Sequence, residues 1–338
     1  MTSPAAHPPP KPVTRLAPSP TGALHLGNAR TFLINWALAR QAGWRILLRI
    51  EDLDGPRVKP ESVQQSIDLL RWLGIDWDEG PLLQSADLTP YERAMMQLGR
   101  RGHIFSCPLT RRQIAEAASA PHDEGGEGDE GDEGDDRHEL RFPPELRPAR
   151  AETGRFEFHP RATNYRFLVP DRPITIDDRF AGTVTRNPGR EVGDFVLWTK
   201  SRTPAYQLAV VVDDARQGVT DVVRGVDLLP SAARQQLIYE ALGLPLPQWW
   251  HVPLVLGPDG RRLAKRHGDT RLLIYRETGV PVERIIALIA GWCGINAGPG
   301  TGRAALSARD FLEAFQPATL PEQPVTFTED DHRWLISA

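Results

Sequence analysis

Hydrophobic and polar positions follow first a strand-like and then a helix-like spacing over the first 50 residues. A short apolar run at 13–17 predicts a buried strand, and a loop rich in Pro, Ser and Gly follows at 18–22. A second strand is predicted at 45–50. Between them the chain has the spacing of a helix that Asn28 can cap and Gly43 can end, with an apolar face of Phe32, Leu33, Trp36 and Leu38. Strand, helix and strand in this order predict an α/β fold with a parallel sheet.

The rest of the chain continues the same mixture of elements. Helical spacing recurs at 62–73 and 91–99. The part from about residue 268 onward also has helical spacing, with apolar residues at Ile285, Ile286, Leu288 and Ile289. Further strands are predicted at 193–198, 208–212, 221–224 and 252–256.

Composition places the chain among globular proteins. It has 338 residues, of which 40% are hydrophobic and 25% charged, so one or two domains with a sizeable core are expected. No apolar run approaches the ~18 residues of a membrane span, and the Pro-rich start has no apolar signal core. We therefore expect a soluble, cytoplasmic protein without a membrane partner. Its two cysteines, Cys107 and Cys293, cannot build a disulfide framework.

The net charge of −4 depends on one segment. Nine acidic residues and no basic ones lie between Asp123 and Asp136, and without them the net charge is +5. A Gly/Asp/Glu run has little apolar surface to bury, so 119–139 is predicted to be a disordered surface insertion. The mildly basic remainder permits a polyanionic partner such as nucleic acid without requiring one.

Two motifs suggest phosphate chemistry. The first, RLAPSPTGALHLGN at 15–28, places a Gly/Pro loop between a strand and a helix N-terminus, where free backbone N–H groups attract anions. The second, PDGRRLAKRHG at 258–268, is a basic turn that could stabilise charge on a transferring phosphoryl or nucleotidyl group. Taken alone, His25 could simply be a capping or surface residue and the basic turn a solvated loop.

Together these motifs resemble the HIGH and KMSKS signatures of class I aminoacyl-tRNA synthetases of the glutamyl type. The segments IEDLD at 50–54 and AYQLAVVVDDARQGVTDVVRGVDLL at 205–229 are similar to the same family in order and spacing. The resemblance covers roughly residues 13–294 and implies a Rossmann-like catalytic domain. Asn28 stands in place of the last HIGH histidine, as is usual in the glutamate group. The KMSKS-like segment departs further, with Arg262 in place of Lys and Ala264 where Ser is frequent, so only Lys265 carries over directly.

Within this group the chain is most similar to the glutamyl-Q tRNA(Asp) synthetases, the short members that transfer glutamate to queuosine at the wobble position of tRNA(Asp). Only 72 residues follow Arg266, and a large helical anticodon-binding domain would not fit there. The amino-acid sequence around Tyr206 and Gln207 also favours this subgroup. The resemblance therefore implies a ligase that uses ATP and Mg²⁺, with L-glutamate and queuosine-containing tRNA(Asp) as substrates, and we expect a monomer.

The resemblance also implies roles for individual residues. Arg15, Ala17 and Ser19 would line the amino-acid pocket, and Glu51 would hold the substrate ammonium. Tyr206 and Arg224 would complete the glutamate site, and two arginines suit a substrate with two carboxylates. ATP would contact His25, Gly27, Asn28 and Lys265, of which His25 and Lys265 are the catalytic candidates.

Structural alternatives exist for these residues. Glu51 and Arg224 could form a structural ion pair, Tyr206 could be a core aromatic residue, and Asp213 with Asp214 could simply end a strand. A truncated glutamyl-tRNA synthetase that charges tRNA(Glu), or a non-catalytic paralogue that binds ATP or tRNA, would be alternative functions.

Relatives often bind zinc in the insertion through Cys-x-Cys and Tyr-x3-Cys. Alignment on Thr110-Arg111 places Cys107, Leu109, Phe142 and Leu146 at the four ligand positions. Because leucine and phenylalanine cannot coordinate zinc, we predict a metal-free insertion held by apolar packing.

We accordingly expect five parts: a disordered tail at 1–12, a first catalytic half at 13–106, an acceptor-binding-like insertion at 107–190, a second catalytic half at 191–267, and a short helical C-terminal region at 268–338.

Overall fold

The computed structural model describes residues 11–21, 23–55, 58–118, 141–148, 156–263 and 270–337. The whole acidic run and residues 264–269 lie outside these ranges, so the predicted disorder of 119–139 stays untested. The strands are β1 (Val13–Leu16), β2 (Arg45–Ile50), β3 (Glu79–Leu83), β4 (Ile104–Cys107), β5 (Asn164–Phe167), β6 (Ile174–Asp178), β7 (Gly182–Arg186), β8 (Val196–Thr199), β9 (Thr203–Pro204), β10 (Asp221–Gly225), β11 (Gln248–Val252), β12 (Val255–Leu256) and β13 (Val325–Thr326). The helices are α1 (Leu26–Ala42), α2 (Pro60–Trp72), α3 (Thr89–Arg100), α4 (Arg111–Ala118), α5 (Pro188–Glu191), α6 (Tyr206–Arg216), α7 (Leu229–Leu242), α8 (Leu272–Glu277), α9 (Val282–Trp292), α10 (Ala308–Ala314) and α11 (Glu329–Ile336).

β1, α1 and β2 form the parallel unit that the sequence predicts, and β3 adds a strand that it did not predict. β2 lies between β1 and β3 and pairs with both in parallel. α1 connects β1 to β2 and ends, as predicted, at Gly43, whose φ of 69° is the left-handed conformation that glycine tolerates. The predicted cap of this helix is wrong, because His25 occupies the N-cap position and Asn28 lies at N3.

A second parallel pair lies beside the first. β10 and β11 pair in parallel, with α7 between them in sequence, and the backbone N–H of Thr220 donates to the carbonyl of Val13 at 2.9 Å. Residues 208–212 are helical and belong to α6, so the strand predicted there is wrong. Eight of the eleven residues of α6 are buried, and a helix buried on most sides has the same continuous apolar run as a buried strand.

The residues between the two parallel pairs add antiparallel strands. β4, β5, β8 and β9 form one sheet, which confirms part of the strand predicted at 193–198. β6 pairs in parallel with β11 and carries β7 at its outer edge. These cross-connections tie the insertion to the second parallel pair; the five-part division itself stays a prediction.

The C-terminal residues form helices, as predicted, that complete the core. α9 buries Ile285, Ile286 and Ile289 in the same cluster as α1 and β2. β12 and β13 pair in parallel and attach the end of the chain to the residues after β11. Among the helices that the structure describes, none combines the length and the apolar character needed to cross a membrane.

Candidate functional site

A pocket opens where the parallel strands end. Ala17 follows β1, Glu51 follows β2, and Gly225 ends β10, so the pocket lies at the carboxyl ends of the strands, the usual ligand position in open α/β sheets. The structure brings eight of the predicted site residues together at its wall: Arg15, Ala17, His25, Gly27, Asn28, Glu51, Tyr206 and Arg224. Sequence reasoning missed other lining residues, among them Thr31, Phe32, Asp227, Leu228, Leu254 and Val255.

Two predicted site residues are not placed at the pocket wall. Ser19 lies in the loop after β1, where its hydroxyl is 3.0 Å from that of Thr21. Lys265 lies outside the described residues. On one side of its segment, Arg262 lines the pocket and pairs with Asp227 at 2.8 Å. On the other side, the carbonyl of Thr270 accepts from the N–H of Leu26, the first residue of α1, at 3.2 Å.

His25 both caps α1 and faces the pocket. Its Nδ1 accepts from the N–H of Gly27 at 3.1 Å, and its own N–H donates to the Asn28 side chain at 3.0 Å, a reciprocal capping box. A Cβ on residue 27 would lie 3.0 Å from the His25 ring, so glycine makes room for this arrangement. Burial and the nearby Arg262 charge lower the pKa of His25 to about 4. The ring is therefore neutral at pH 7, and Nε2 carries the proton that a phosphate oxygen can accept.

Beneath the pocket a buried carboxylate joins two arginines. Asp214 Oδ1 accepts from Arg15 Nε at 3.2 Å and from Arg49 Nη1 at 2.7 Å, and all three side chains are nearly inaccessible to solvent. Burial disfavours the charge of Arg49, but Asp214, Glu51 and Asp213 outweigh it and raise the pKa of Arg49. Asp213 and Asp214 do not end a strand, because both lie within α6. Asp214 thus fixes the guanidinium of Arg15 at the pocket.

Glu51 and Arg224 do not pair with each other. The described partner of Glu51 is Arg49, whose Nη2 is 3.6 Å from Oε1, and Arg224 Nε instead donates to His251 at 3.0 Å. Burial raises the pKa of Glu51, against the charges of Arg49 and Arg15. An ammonium group bound beside Glu51 would favour its ionised form.

Tyr206 lies at the start of α6, half-buried at the pocket wall. Burial raises the pKa of its hydroxyl, which stays protonated at neutral pH and available as a donor. Burial also lowers the pKa of Arg224, and its Nη1 is buried without a hydrogen-bond partner in the described part of the chain. The pocket therefore presents arginine and tyrosine donors together with the carboxylates of Glu51 and Asp227, of which Asp227 is paired with Arg262. This set fits a small zwitterion with an additional negative charge.

The four positions aligned with zinc ligands lie together in the insertion, but as an apolar cluster. Cys107 and Phe142 are buried with Phe105 and Ile114, and Leu109 and Leu146 pack against them. This confirms the predicted apolar packing, and the donor set does not fit zinc, since thiolate is the only ligand group among the four. Within the described ranges, no group of three or more His, Cys, Asp or Glu side chains could hold a metal ion.

We predict that protein purified without a His-tag contains no stoichiometric zinc. Because leucine and phenylalanine side chains replace the metal, the melting temperature is expected to stay constant when a chelator is added. Atomic emission of the purified protein together with thermal unfolding with and without EDTA checks this. One zinc ion per chain would show that ligands exist outside these four positions.

Known proteins share this chain's sequence and fold. The model of the family "tRNA synthetases class I (E and Q), catalytic domain" matches residues 11–334. A Glutamyl-Q tRNA(Asp) synthetase of Rhodopirellula baltica is 46% identical over 84% of this chain and 85% of its own. One of Symbiobacterium thermophilum is 43% identical over 92% of this chain and 94% of its own. A crystal structure of glutamate-tRNA synthetase from Elizabethkingia anophelis superposes with a TM-score of 0.74 and 26% identity, covering 96% of this chain and 70% of that chain.

The matched range contains every residue of the pocket, and the α/β architecture with its parallel strands is that of the class I synthetase catalytic domain. The identity to two relatives exceeds 40% over most of both chains. The chain therefore belongs to the class I (E and Q) tRNA synthetase catalytic-domain family.

Proposed function

We propose that this protein activates L-glutamate with ATP and transfers the glutamate to queuosine at the wobble position of tRNA(Asp). The observation that carries the first half is the convergence of Arg15, Arg224 and Glu51 on one pocket. Two buried guanidinium groups match the two carboxylates of glutamate, and one carboxylate matches its ammonium group. The second half is supported by the names of the relatives in Rhodopirellula and Symbiobacterium, which both align over more than 80% of this chain.

In the first step an α-carboxylate oxygen of glutamate attacks the α-phosphorus of ATP, and the bond to the pyrophosphate oxygen breaks. Arg15 and Arg224 hold the substrate carboxylates, with the Tyr206 hydroxyl as a further donor, and Glu51 holds the ammonium group. Ala17 lines the amino-acid side of the pocket, and Ser19 is proposed to contribute from the loop after β1. The protein's task is positioning and charge stabilisation, so no covalent intermediate with the enzyme is needed.

ATP is proposed to lie against the N-terminus of α1. Gly27 and Asn28 line the pocket there, and the neutral His25 offers its Nε2 proton to a phosphoryl oxygen. Lys265 neutralises charge that develops on the leaving pyrophosphate. Mg²⁺ would supply further charge neutralisation to the phosphates.

In the second step a hydroxyl of the queuosine ring attacks the activated carbonyl of glutamyl-adenylate. An ester bond forms, the bond from the carbonyl carbon to the phosphate oxygen breaks, and AMP and the hydroxyl proton leave. We propose that the enzyme acts as a monomer in the cytoplasm. The large apolar side chains exposed in the described residues come from four separate segments, namely Leu83, Met96, Leu246 and Ile336, and do not mark a subunit interface. Both cysteines are buried and unpaired, as suits a reducing compartment.

The decisive experiment supplies labelled glutamate, ATP and Mg²⁺ with total tRNA from cells that make queuosine and from cells that cannot. We expect label only on the queuosine-containing tRNA. Equal label on both preparations, in an alkali-labile 3′-ester, would identify a truncated glutamyl-tRNA synthetase that charges tRNA(Glu). No label on either and no ATP–pyrophosphate exchange with glutamate would identify a non-catalytic paralogue.

A further inference from the structure

Three neighbouring strands place a buried row of polar side chains beside the pocket. Arg224 on β10 lies directly opposite His251 on β11 in the strand register. Asp178, on the next strand β6, pairs with Trp249, two residues before His251. The side chains of Asp178 and His251 are fully buried, and Arg224 is 5% exposed. The row therefore runs from the substrate pocket into the sheet.

The hydrogen bonds along this row fix the tautomer of His251. Arg224 Nε donates to His251 Nε2 at 3.0 Å, so Nε2 must be the acceptor and the ring proton lies on Nδ1. Nδ1 in turn is 2.6 Å from Asp178 Oδ2. Burial, aided by the charge of Arg224, lowers the pKa of His251 to about 4, against the attraction of Asp178, which keeps the ring neutral.

Asp178 is itself held in place by backbone groups. Its Oδ1 accepts from the N–H of Phe180 at 2.9 Å and from that of Ala181 at 2.8 Å, and the N–H of His251 lies 3.1 Å from both oxygens. Burial opposes ionisation of this carboxyl, but these bonds and the His251 ring hold the pKa of Asp178 at about 2. A carboxylate with fixed orientation therefore orients the imidazole, which orients the arginine.

Arg224 and Arg15 have different kinds of partner. Arg15 is paired with a carboxylate, that of Asp214, whereas the hydrogen-bond and stacking partners of Arg224 are neutral: the His251 ring, the Leu228 carbonyl and the face of Trp249. The neutral His251 imidazole lies between Asp178 and Arg224, so it orients the guanidinium without placing a carboxylate against it. Nη1 of Arg224 remains buried without a partner among the described residues.

We propose that Asp178 and His251 are positioning residues that hold Arg224 as a cation of the amino-acid pocket with no carboxylate in direct contact, and thereby select glutamate over the neutral glutamine. This inference rests on the proposed glutamate activation and adds a residue pair that determines its specificity. Neither residue lines the pocket, so the pair acts through the orientation of Arg224.

Glutamate-dependent ATP–pyrophosphate exchange tests the row with three variants of the full chain. His251→Leu removes the acceptor, and we expect the KM for glutamate to rise about 10- to 100-fold while kcat and the KM for ATP stay within about twofold. His251→Gln keeps an acceptor for Arg224 and a donor for Asp178, so its KM should stay within about threefold of wild type. Asp178→Asn preserves the size of the side chain, but its amide N–H would donate to Nδ1 of His251. The ring proton would then lie on Nε2, where it would face the N–H of Arg224 and remove the acceptor. The same kind of substitution in a catalytic triad also produces the wrong histidine tautomer. We expect it to raise the KM about as much as His251→Leu does.

Two further measurements separate positioning from folding. A long-range ¹H–¹⁵N spectrum at pH 7 should show one neutral Nδ1-protonated histidine that is missing in His251→Gln and becomes Nε2-protonated in Asp178→Asn. The ratio of exchange with glutamate to exchange with glutamine should fall in both Asp178→Asn and His251→Leu. His103→Leu, which alters a histidine stacked on Phe167 away from the pocket lining, should change neither quantity.

An unchanged KM for glutamate in His251→Leu and Asp178→Asn would overturn the inference, and so would equal rises of the KM for glutamate and ATP or an Nε2-protonated ring in the wild type. If His251→Leu does not fold, Asp178→Asn and His251→Gln still decide the question. Absence of exchange by the wild-type protein would overturn the proposed function and this inference together. If the wild type catalyses exchange and the variants keep its KM for glutamate, the inference alone would be overturned.

Discussion

Replacing Lys265 by alanine is expected to lower kcat for glutamate-dependent ATP–pyrophosphate exchange about 100- to 1,000-fold, the usual loss when one preorganised charge-stabilising donor is removed. Lys265 belongs to a basic segment bounded by Arg262, which lines the pocket, and Thr270, which accepts a hydrogen bond from the first turn of α1. The charge on pyrophosphate grows as the bond to the α-phosphorus breaks. The loss should therefore fall on kcat, with a much smaller change in the KM for glutamate.

Exchange kinetics without tRNA check this prediction, because they report the activation step alone. Lys200→Ala is the matched control, since Lys200 lies exposed in the turn between β8 and β9. It should leave kcat unchanged. A rate near that of the wild type in Lys265→Ala would mean that the basic segment is not the loop that stabilises the leaving group.

Local sequence signals predicted the parts of the fold that short segments determine. The strand at 45–50, the helix before it and the stop at Gly43 depend on neighbouring residues, and the structure confirms them. The error at 208–212 has a physical cause: Leu208, Ala209 and three valines are buried in succession, and burial on every side erases the periodicity that separates a helix from a strand. The pairing of β4 with β5 joins residues some 60 positions apart and leaves no local pattern.

The same distinction applies to the pocket. Residues that line the pocket, such as Arg15 and Glu51, lie in motifs and could be named from the sequence. Those that hold them in place, such as Asp178 and Asp214, could not, because Asp178 is 73 positions from His251 and Asp214 is 199 positions from Arg15. A buried aspartate beside an arginine is visible only once the fold brings the two together. The sequence therefore predicted the side chains that line the pocket, whereas the buried charges that support them were identified only from the structure.

Replacing Asp214 by alanine is expected to lower the free energy of unfolding by about 3 to 5 kcal/mol, the cost of leaving buried charges without their partner. Asp214 Oδ1 accepts from both Arg15 and Arg49, and neither guanidinium can reach water without disrupting the sheet, because they are 4% and 0% exposed. Glu51 and Asp213 lie 3.6 and 4.0 Å from Arg49 and retain part of the compensation there. Among the described residues, Asp214 is the one carboxylate that forms an ion pair with Arg15. We therefore expect the KM for glutamate to rise as well.

Asp221→Ala provides the matched comparison. Asp221 is also a buried aspartate, at the start of β10, but in the part of the chain that the structure describes its hydrogen-bond donors are neutral: the Trp250 indole at 2.9 Å and the Thr220 hydroxyl at 2.7 Å. Its loss should cost about 1 to 2 kcal/mol, because no charge is left uncompensated. Urea unfolding of the two variants and the wild type measures the difference directly. Equal destabilisation would show that Asp214 contributes as an ordinary buried acceptor. A larger loss for Asp214→Ala, accompanied by a raised KM for glutamate, would show that the charge that keeps Arg15 at the pocket also stabilises the core beneath it.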